Sequence, residues 1–138
     1  MFFETRKQDL FDVGEDFHLA HCISADYALG AGIAVEFQRR YQLREQLKQI
    51  GTGTYPDCIL TGRVFNLITK QNYWNKPTYD ALEETLHLLL HTAGCANVHK
   101  IAMPRIGCGL DRLHWPRVLK VLEDVFQHAN MHILVCDL

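Results

Sequence analysis

Short apolar runs alternate with amphipathic stretches along the chain, which is typical of strands separated by helices. The runs that predict strands are residues 2–6, 17–23, 58–60, 64–69, 98–103 and 132–136. A turn at Thr61-Gly62-Arg63 predicts a hairpin between the third and fourth strands. Because strands and helices largely alternate, we expect an α/β domain with a mixed sheet between helices.

The first predicted helix covers residues 33–41, where Ile33, Val35 (or Ala34) and Phe37 are expected on one side. Three further helices follow from similar patterns. Residues 43–50 continue as a second helix. The third has Thr78 as its N-cap and Gly94 as its stop. Pro116 marks the start of the fourth.

Composition narrows the class of protein. With 138 residues, 48 % of them apolar and 22 % charged, we expect one domain, residues 1–138, with a buried core. The formal net charge of −2 gives no bulk electrostatic reason to bind nucleic acid, although it does not exclude a local basic patch. No apolar run approaches the ~20 residues of a membrane helix, so we expect no membrane contact.

The N-terminal residues lack the layout of a signal peptide, and we expect a cytoplasmic protein. Five cysteines without Cys-x-x-Cys spacing argue against a disulfide framework and against a zinc site. We therefore predict no metal and no cofactor, and we expect a monomer.

Two glycine-containing loops follow predicted strands, Gly30-Ala31-Gly32 after the second and Gly107-Cys108-Gly109 after the fifth. Each is followed by an apolar residue and then by a predicted helix. Glycine lets backbone N–H groups approach a ligand without a Cβ in the way, and such groups at a helix N-terminus hold phosphate oxygens. Two such loops could clamp a diphosphate, although glycines are also common in purely structural turns.

Two charged residues are candidates for chemistry: Asp111 follows the second glycine loop, and Lys70 stands at the end of a predicted strand. Asp111 is either a helix or turn cap, or a carboxylate at the mouth of a phosphate loop that acts as a general base. Lys70 ends the apolar run 64–69. It is either a surface residue with its stem on apolar surface, or a nucleophile in a cleft that attacks a carbonyl-like carbon.

Other polar residues leave alternatives open. Asp9 is either an exposed loop acid or an acceptor for the exocyclic amine of a base. Ser24 could bond a ribose or phosphate, or its own backbone. His87 and His91 have i, i+4 spacing, but no Glu lies between them in the protease pattern, so we do not predict a metal site.

Aromatic residues surround a basic loop after Lys70. Tyr73, Trp74 and Tyr79 lie close in sequence to Lys76. They either wall a cleft or contact an extended or nucleic-acid substrate.

Three segments, in this order, resemble the macrodomain family. They are HCISADYALGAGIAVEF (21–37), LITKQNYWNKPTYDAL (67–82) and MPRIGCGLDRLHW (103–115). They are most similar to the branch of terminal ADP-ribose protein glycohydrolases, because His21-Cys22-Ile23-Ser24 stands where other branches carry an asparagine-rich catalytic segment. QDLF (8–11) is similar to the family's first ligand loop, with Gln8 in place of the usual glycine.

The resemblance implies a three-layer α/β/α macrodomain sandwich around a mixed, six-stranded sheet, with ADP-ribose as the ligand. It places adenine near Asp9, Leu10 and the C-terminal Leu138, and the diphosphate and distal ribose between the two glycine loops. The residues expected to bind ADP-ribose are Asp9, Leu10, Ser24, Gly30, Ala31, Gly32, Ile33, Arg105, Ile106, Gly107, Cys108, Gly109, Leu110 and Leu138.

The resemblance also implies a mechanism. Lys70 matches the branch's nucleophilic lysine and Asp111 its catalytic aspartate. The implied activity is hydrolysis of mono-ADP-ribose from acidic protein side chains or DNA bases, and deacylation of O-acyl-ADP-ribose. The implied partners are ADP-ribose and mono-ADP-ribosylated protein or DNA. The alternative is a reader module, which binds ADP-ribose without turnover and needs the glycine loops but neither Lys70 nor Asp111.

Overall fold

A computed structural model describes residues 1–138 and contains six strands and four helices. The strands are β1 (Phe2–Lys7), β2 (His18–Ser24), β3 (Asp57–Thr61), β4 (Val64–Lys70), β5 (Lys100–Met103) and β6 (His132–Asp137). The helices are α1 (Ile33–Tyr41), α2 (Leu43–Ile50), α3 (Tyr79–Cys95) and α4 (Trp115–Phe126). None of the helices combines the length and apolar character needed to cross a membrane.

The six strands form one mixed sheet in the order β1-β6-β5-β2-β4-β3. Neighbouring strands are parallel except at the edge, where β3 pairs antiparallel with β4. This arrangement confirms the predicted α/β fold and the predicted hairpin. Because β2, β4 and β5 are parallel, their carboxyl ends meet at one edge of the sheet, where ligands bind in open α/β sheets.

A hydrophobic core lies on each face of the sheet, so the molecule has three layers. Side chains from α1 and α2 belong to one core, and side chains from α3 and α4 belong to the other. Strand β4 serves both cores, since Val64 and Ile68 pack in the first and Phe65 and Leu67 in the second. All residues of β4 before Lys70 are buried, which makes this strand a rigid support for that lysine.

The start of α3 is as predicted and its end is not. Thr78 Oγ1 accepts a hydrogen bond from the Ala81 N–H at 3.0 Å, which confirms the N-cap. The prediction that Gly94 stops the helix is wrong. Asn97 adopts a left-handed conformation (φ 57°), and the N–H of Val98 donates to the carbonyl of Ala93 at 2.8 Å. Because the N–H of Val98 takes part in this helix-ending turn, β5 begins at Lys100 rather than at residue 98.

The side chains of α1 are arranged differently from the prediction. Phe37 is fully buried, whereas Ile33 and Val35 are exposed. Successive helical residues are rotated by about 100°, so Val35 points away from the face that Phe37 buries. Ile33 shares that face, but it lies in the first turn, where it lines a cleft.

Candidate active site

A cleft of about 1110 Å³ opens at the carboxyl ends of β2, β4 and β5. Its walls come from the segments that follow these strands, and both glycine loops line it. Lys70, Asp111 and Asp137, the last residue of β6, also face this space. The fold thus brings together residues that are far apart in the sequence.

The first glycine loop, residues 30–32, leads directly into α1. Gly32 has φ 60° and ψ −149°, a conformation that side-chain-bearing residues rarely adopt, and it is the N-cap of the helix without a side-chain cap. The N–H groups of Gly30, Ala31, Gly32 and Ile33 donate to no group of the protein. Open amides at a helix N-terminus form a site for an anion such as phosphate.

Residues outside the cleft hold this loop in shape. Tyr27 and Leu29, just before the loop, both have positive φ (56° and 49°). Arg44 of α2 donates to the carbonyls of Tyr27 at 3.2 Å and Ala28 at 2.5 Å. A Cβ on Gly51 would lie 1.9 Å from the Tyr27 hydroxyl, so only glycine allows this close approach. No motif in the sequence indicates these contacts of Arg44.

The second glycine loop, residues 107–109, is built differently. Gly107 has φ 72°, and a Cβ there would lie 2.8 Å from Leu113 Cδ1. Residues 110–114 separate this loop from α4, which begins at Trp115 and has the predicted start residue, Pro116, in its first turn. The N–H groups of Gly109 and of residues 110–111 donate to no group of the protein. These amides form a second set of donors that a ligand can use.

Other residues near this loop have roles in packing. Ile106 is buried in the core, so only its backbone is open to a ligand. Arg105 is exposed, with its guanidinium 5.5 Å from the ring centroid of Trp115 and 3.4 Å from the Asp137 carboxylate. Lys76 donates to the carbonyl of Leu110 at 2.8 Å and ties the segment after β4 to this loop.

Lys70 and Asp111 meet inside the cleft. Lys70 Nζ lies 2.6 Å from Asp111 Oδ1, and their side chains are 14 % and 15 % exposed. The backbone of Lys70 is fixed as well, since its carbonyl accepts from the Ala25 N–H at 2.9 Å. An amine and a carboxylate in contact, partly shielded from water, suit nucleophilic attack assisted by proton transfer.

Two cysteines also line the cleft, and neither is a nucleophile at neutral pH. Burial raises the pKa of Cys22, and the carboxylate of Asp111 raises it further. Burial likewise raises the pKa of Cys108, against the lowering effect of Arg105. Both thiols therefore stay protonated, and the thiolate is the reactive form of cysteine.

Ser24 lies in the cleft wall, but its hydroxyl is already engaged. Ser24 Oγ donates to Asp26 Oδ1 at 2.5 Å. The predicted bond from Ser24 to a ribose or phosphate competes with this contact. Asp26 is a candidate functional residue that the sequence motifs do not indicate. An aspartate often accepts a hydrogen bond from the backbone two residues further along in a turn, and Asp26 Oδ1 accepts the N–H of Ala28 at 3.1 Å.

The residues predicted to meet adenine do not line the cleft. Asp9 accepts from the Phe11 N–H at 3.0 Å and caps a short 3₁₀ turn, Leu10–Asp12. The side chain of Leu10 is buried in the core, and Leu138 is exposed at the C-terminus. Contact of these residues with adenine stays a prediction.

No group of three or more His, Cys, Asp or Glu side chains is arranged to hold a metal ion. His87 and His91 are exposed on α3, away from the cleft. All five cysteines are free thiols.

Comparison with known proteins identifies the family. No family model matches the chain. The human protein named ADP-ribose glycohydrolase OARD1 is 39 % identical over 135 residues, which cover 96 % of this chain and 89 % of the human protein. The bovine protein of the same name is 38 % identical over the same length and coverage.

The fold is shared with solved macrodomain structures. The macrodomain of Mycobacterium tuberculosis DarG superimposes with a TM-score of 0.87 at 20 % identity, covering 99 % of this chain and 98 % of that one. The six-stranded mixed sheet of this chain thus matches the fold of a solved macrodomain. Together with the identity to the mammalian proteins, this shows that the chain belongs to the macrodomain family, in the branch of the terminal ADP-ribose protein glycohydrolases.

Proposed function

We propose that this protein is an ADP-ribosyl hydrolase that removes mono-ADP-ribose from acidic side chains of proteins. The observation that carries the proposal is the contact of 2.6 Å between Lys70 Nζ and Asp111 Oδ1 in the cleft between the two glycine loops. The name of the mammalian relatives, ADP-ribose glycohydrolase, supports the same class of activity.

The glycine loops bind the substrate in this proposal. The open amides of residues 30–33 hold one side of the diphosphate, with the positive end of the α1 dipole behind them. The open amides of 109–111 approach from the other wall of the cleft. Because Asp111 belongs to the second set, a diphosphate held there presents the attached distal ribose to Asp111 and Lys70.

The chemistry proceeds in two steps. Lys70 passes a proton to Asp111, and the neutral amine attacks the anomeric carbon of the distal ribose. The bond from that carbon to the ester oxygen breaks, and the side-chain carboxyl group leaves with the bonding electrons and the proton from Asp111. Water then adds to the same carbon and gives a proton to Asp111. The carbon–nitrogen bond breaks, and this proton returns to the Lys70 amine as ADP-ribose leaves.

A peptide that carries mono-ADP-ribose on one glutamate tests this function. We expect the wild-type protein to release ADP-ribose and Lys70→Ala to lose at least about 100-fold in rate, because it has no nucleophile. Asp111→Ala is expected to slow release and to accumulate a covalent protein–ADP-ribose species, detected by intact mass. Lys120→Ala, which changes an exposed lysine of α4, is the matched control and is expected to keep the wild-type rate.

Release by Lys70→Ala at the wild-type rate contradicts the proposed mechanism. If the wild-type protein binds ADP-ribose in calorimetry but turns over no modified peptide, modified DNA or O-acetyl-ADP-ribose, the protein is a reader module instead. A reader has no need of a buried amine in contact with a carboxylate.

A second candidate substrate is mono-ADP-ribosylated single-stranded DNA, processed at the same site. Tyr73 and Trp74, in the segment after Lys70, are 64 % and 66 % exposed, and their ring centroids lie 5.0 Å apart at 87°. Lys76 and Arg112 are exposed on neighbouring segments. Exposed aromatic rings beside cationic side chains are typical of surfaces on which unpaired bases stack.

Trp74→Ala distinguishes modified DNA from modified protein as the substrate. If DNA is the substrate, this variant is expected to lose about tenfold or more in rate on a modified oligonucleotide, the equivalent of one lost stacking contact. Its rate on the modified peptide is expected to stay within about twofold. Equal rates of wild-type and variant on the oligonucleotide contradict a role of this surface in DNA recognition.

A further inference from the structure

Asp26 is a solvent-exposed residue just after β2, and its carboxylate joins three groups. Asp26 Oδ1 accepts the hydroxyl of Ser24 at 2.5 Å and the N–H of Ala28 at 3.1 Å. Its second oxygen, Oδ2, accepts the N–H of Tyr73 at 2.9 Å. The first two partners lie on β2 and on the approach to the first glycine loop. Tyr73 lies 47 residues further along, three residues after Lys70.

Asp26 continues the connection between β2 and β4 beyond the ends of the strands. The last backbone bond between the two chain segments runs from the Ala25 N–H to the Lys70 carbonyl, at 2.9 Å. After that point the chains diverge, one toward the glycine loop and the other toward Tyr73. The carboxylate of Asp26 is the next link between them.

The segment that Asp26 holds has an unfavourable backbone. Tyr27 and Leu29 both have positive φ, and such strained conformations persist only where the surrounding structure holds them. Arg44 fixes the segment to α2 through the carbonyls of Tyr27 and Ala28. Asp26 connects the same segment to Tyr73, in the loop that follows the strand carrying Lys70. The two side chains therefore connect this segment to different parts of the fold.

The charge state of Asp26 favours this role. Burial alone would raise its pKa, but the hydrogen bonds from Ser24 and from the N–H groups of Tyr73 and Ala28 outweigh it and hold the pKa below the usual range. Asp26 is therefore ionised at neutral pH, and hydrogen bonds to an ionised acceptor are stronger than neutral ones.

We propose that Asp26 is a positioning residue for the reaction, which sets the first glycine loop relative to Lys70 by binding the N–H groups of Ala28 and Tyr73 at the same time. This inference rests on the proposed function, because it assigns to the loop the task of presenting ribose to the amine. Asp26 does not line the cleft, so it acts through these partners rather than by touching substrate.

Asp26→Asn tests the proposal with little change in size. The amide oxygen of asparagine can still accept from Ser24 and Ala28, but its NH₂ group then faces the N–H of Tyr73, and the link between the loops is lost. We expect the single-turnover rate to fall by about tenfold or more, since misplacement by a fraction of an ångström to 1 Å affects rates on this scale. The dissociation constant of ADP-ribose is expected to change far less, because Arg44 still holds the glycine loop on α2.

Two further variants make the test specific. Asp124→Asn changes an exposed aspartate of α4 and is expected to match the wild-type protein in both rate and affinity. Ser24→Ala removes one donor to the same carboxylate and is expected to slow the rate in the same direction, without adding to the effect of Asp26→Asn in the double variant. Thermal unfolding of each variant identifies any that fails to fold. If Asp26→Asn fails to fold, Asp26→Ala carries the test with the same two measurements.

The outcomes are distinguishable. If Asp26→Asn keeps the wild-type single-turnover rate, or loses rate and ADP-ribose affinity equally, the positioning role is overturned while the proposed function stands. If Lys70→Ala, measured alongside, releases ADP-ribose at the wild-type rate, the proposed function is overturned, and with it the reason for assigning this role to Asp26.

Discussion

The Cβ that Gly32 lacks would lie 3.4 Å from Leu110 Cδ1, so the two glycine loops approach each other directly. Gly32 ends the first loop and Leu110 follows the second. The side chain of Leu110 is mostly exposed, so it bridges the cleft mouth with freedom to move. A ligand held by both sets of amides lies beside this contact.

Gly32→Ala is expected to weaken ADP-ribose binding by at least about tenfold. Alanine at φ 60° and ψ −149° costs about 1–3 kcal/mol, and relief of that strain turns the open amides away from the ligand. Calorimetry measures the affinity, and urea unfolding measures the free energy of unfolding.

Gly62→Ala is the matched control for Gly32→Ala. Gly62 has a similar φ of 57° in the β3–β4 hairpin, with nothing within 4 Å of an added Cβ. Gly62→Ala is also expected to lower the free energy of unfolding, because alanine is strained at this φ, but to keep the wild-type affinity. Equal affinity in both variants would show that the first glycine loop does not hold the ligand.

Lys70→Arg is expected to fold and to bind ADP-ribose while losing turnover. The guanidinium keeps a positive charge beside Asp111, so the ion pair remains. It stays protonated at all accessible pH values and cannot attack the anomeric carbon. Single-turnover assays with the modified peptide measure the rate. Turnover within threefold of the wild-type protein would exclude Lys70 as the nucleophile.

Gly51→Ala is expected to destabilise the protein and to weaken ADP-ribose binding together. The new Cβ would lie 1.9 Å from the Tyr27 hydroxyl and 2.7 Å from the Leu47 carbonyl. Such overpacking costs about 1–3 kcal/mol, and displacement of Tyr27 moves the approach to the first glycine loop. Thermal unfolding and calorimetry measure the two effects.

A second glycine provides the control for Gly51. Gly94 lies inside α3 with nothing within 4 Å of an added Cβ. Gly94→Ala is therefore expected to stabilise the protein by about 0.5–1 kcal/mol, with unchanged affinity. A stable Gly51→Ala variant would mean that Tyr27 does not need its present position.

His21 is expected to make stability depend on pH between about 4 and 6.5. Burial lowers the pKa of His21 to about 4, against the raising effect of its hydrogen bond with Asn66. Between these pH values the unfolded chain binds a proton at His21 and the folded protein does not. The contribution of neutral His21 to the free energy of unfolding is therefore fully present above pH 6.5. It falls by about 2–3 kcal/mol as the pH drops toward 4.

His21→Gln removes this contribution. The difference in the free energy of unfolding between pH 7 and pH 4.5 is expected to be smaller in the variant by about that amount. His87→Gln, at an exposed position of α3, is expected to behave like the wild-type protein. An identical difference in His21→Gln would mean that folding does not lower the pKa of His21.

Local signals in the sequence were sufficient for several elements. Helices α1 and α2 have the predicted bounds, and the Thr78 cap and the Gly62 turn are present, because each depends on neighbours within a few residues. The end of α3 was predicted wrongly because Asn97, rather than glycine, adopts the left-handed conformation that closes the helix.

The site depends on relationships that local patterns do not contain. Lys70 and Asp111 are 41 residues apart, and they meet because β4 and β5 both lie beside β2. The link from Asp26 to Tyr73 follows from the same strand order. The contacts of Arg44 need the packing of α2 against the loop. Sequence motifs indicate the candidate residues for the chemistry, but not which side chains hold them in place.

The uniform burial of β4 before Lys70 has a consequence for how the protein could adapt to new substrates. The backbone of Lys70 is held at the end of this strand, whereas exposed side chains of the neighbouring loops, such as Tyr73 and Leu110, line the cleft. Substitutions at such exposed loop positions can change which substrate reaches Lys70 without disturbing the packing of β4. Substrate preference can therefore change, by evolution or by engineering, while the Lys70 amine keeps its position.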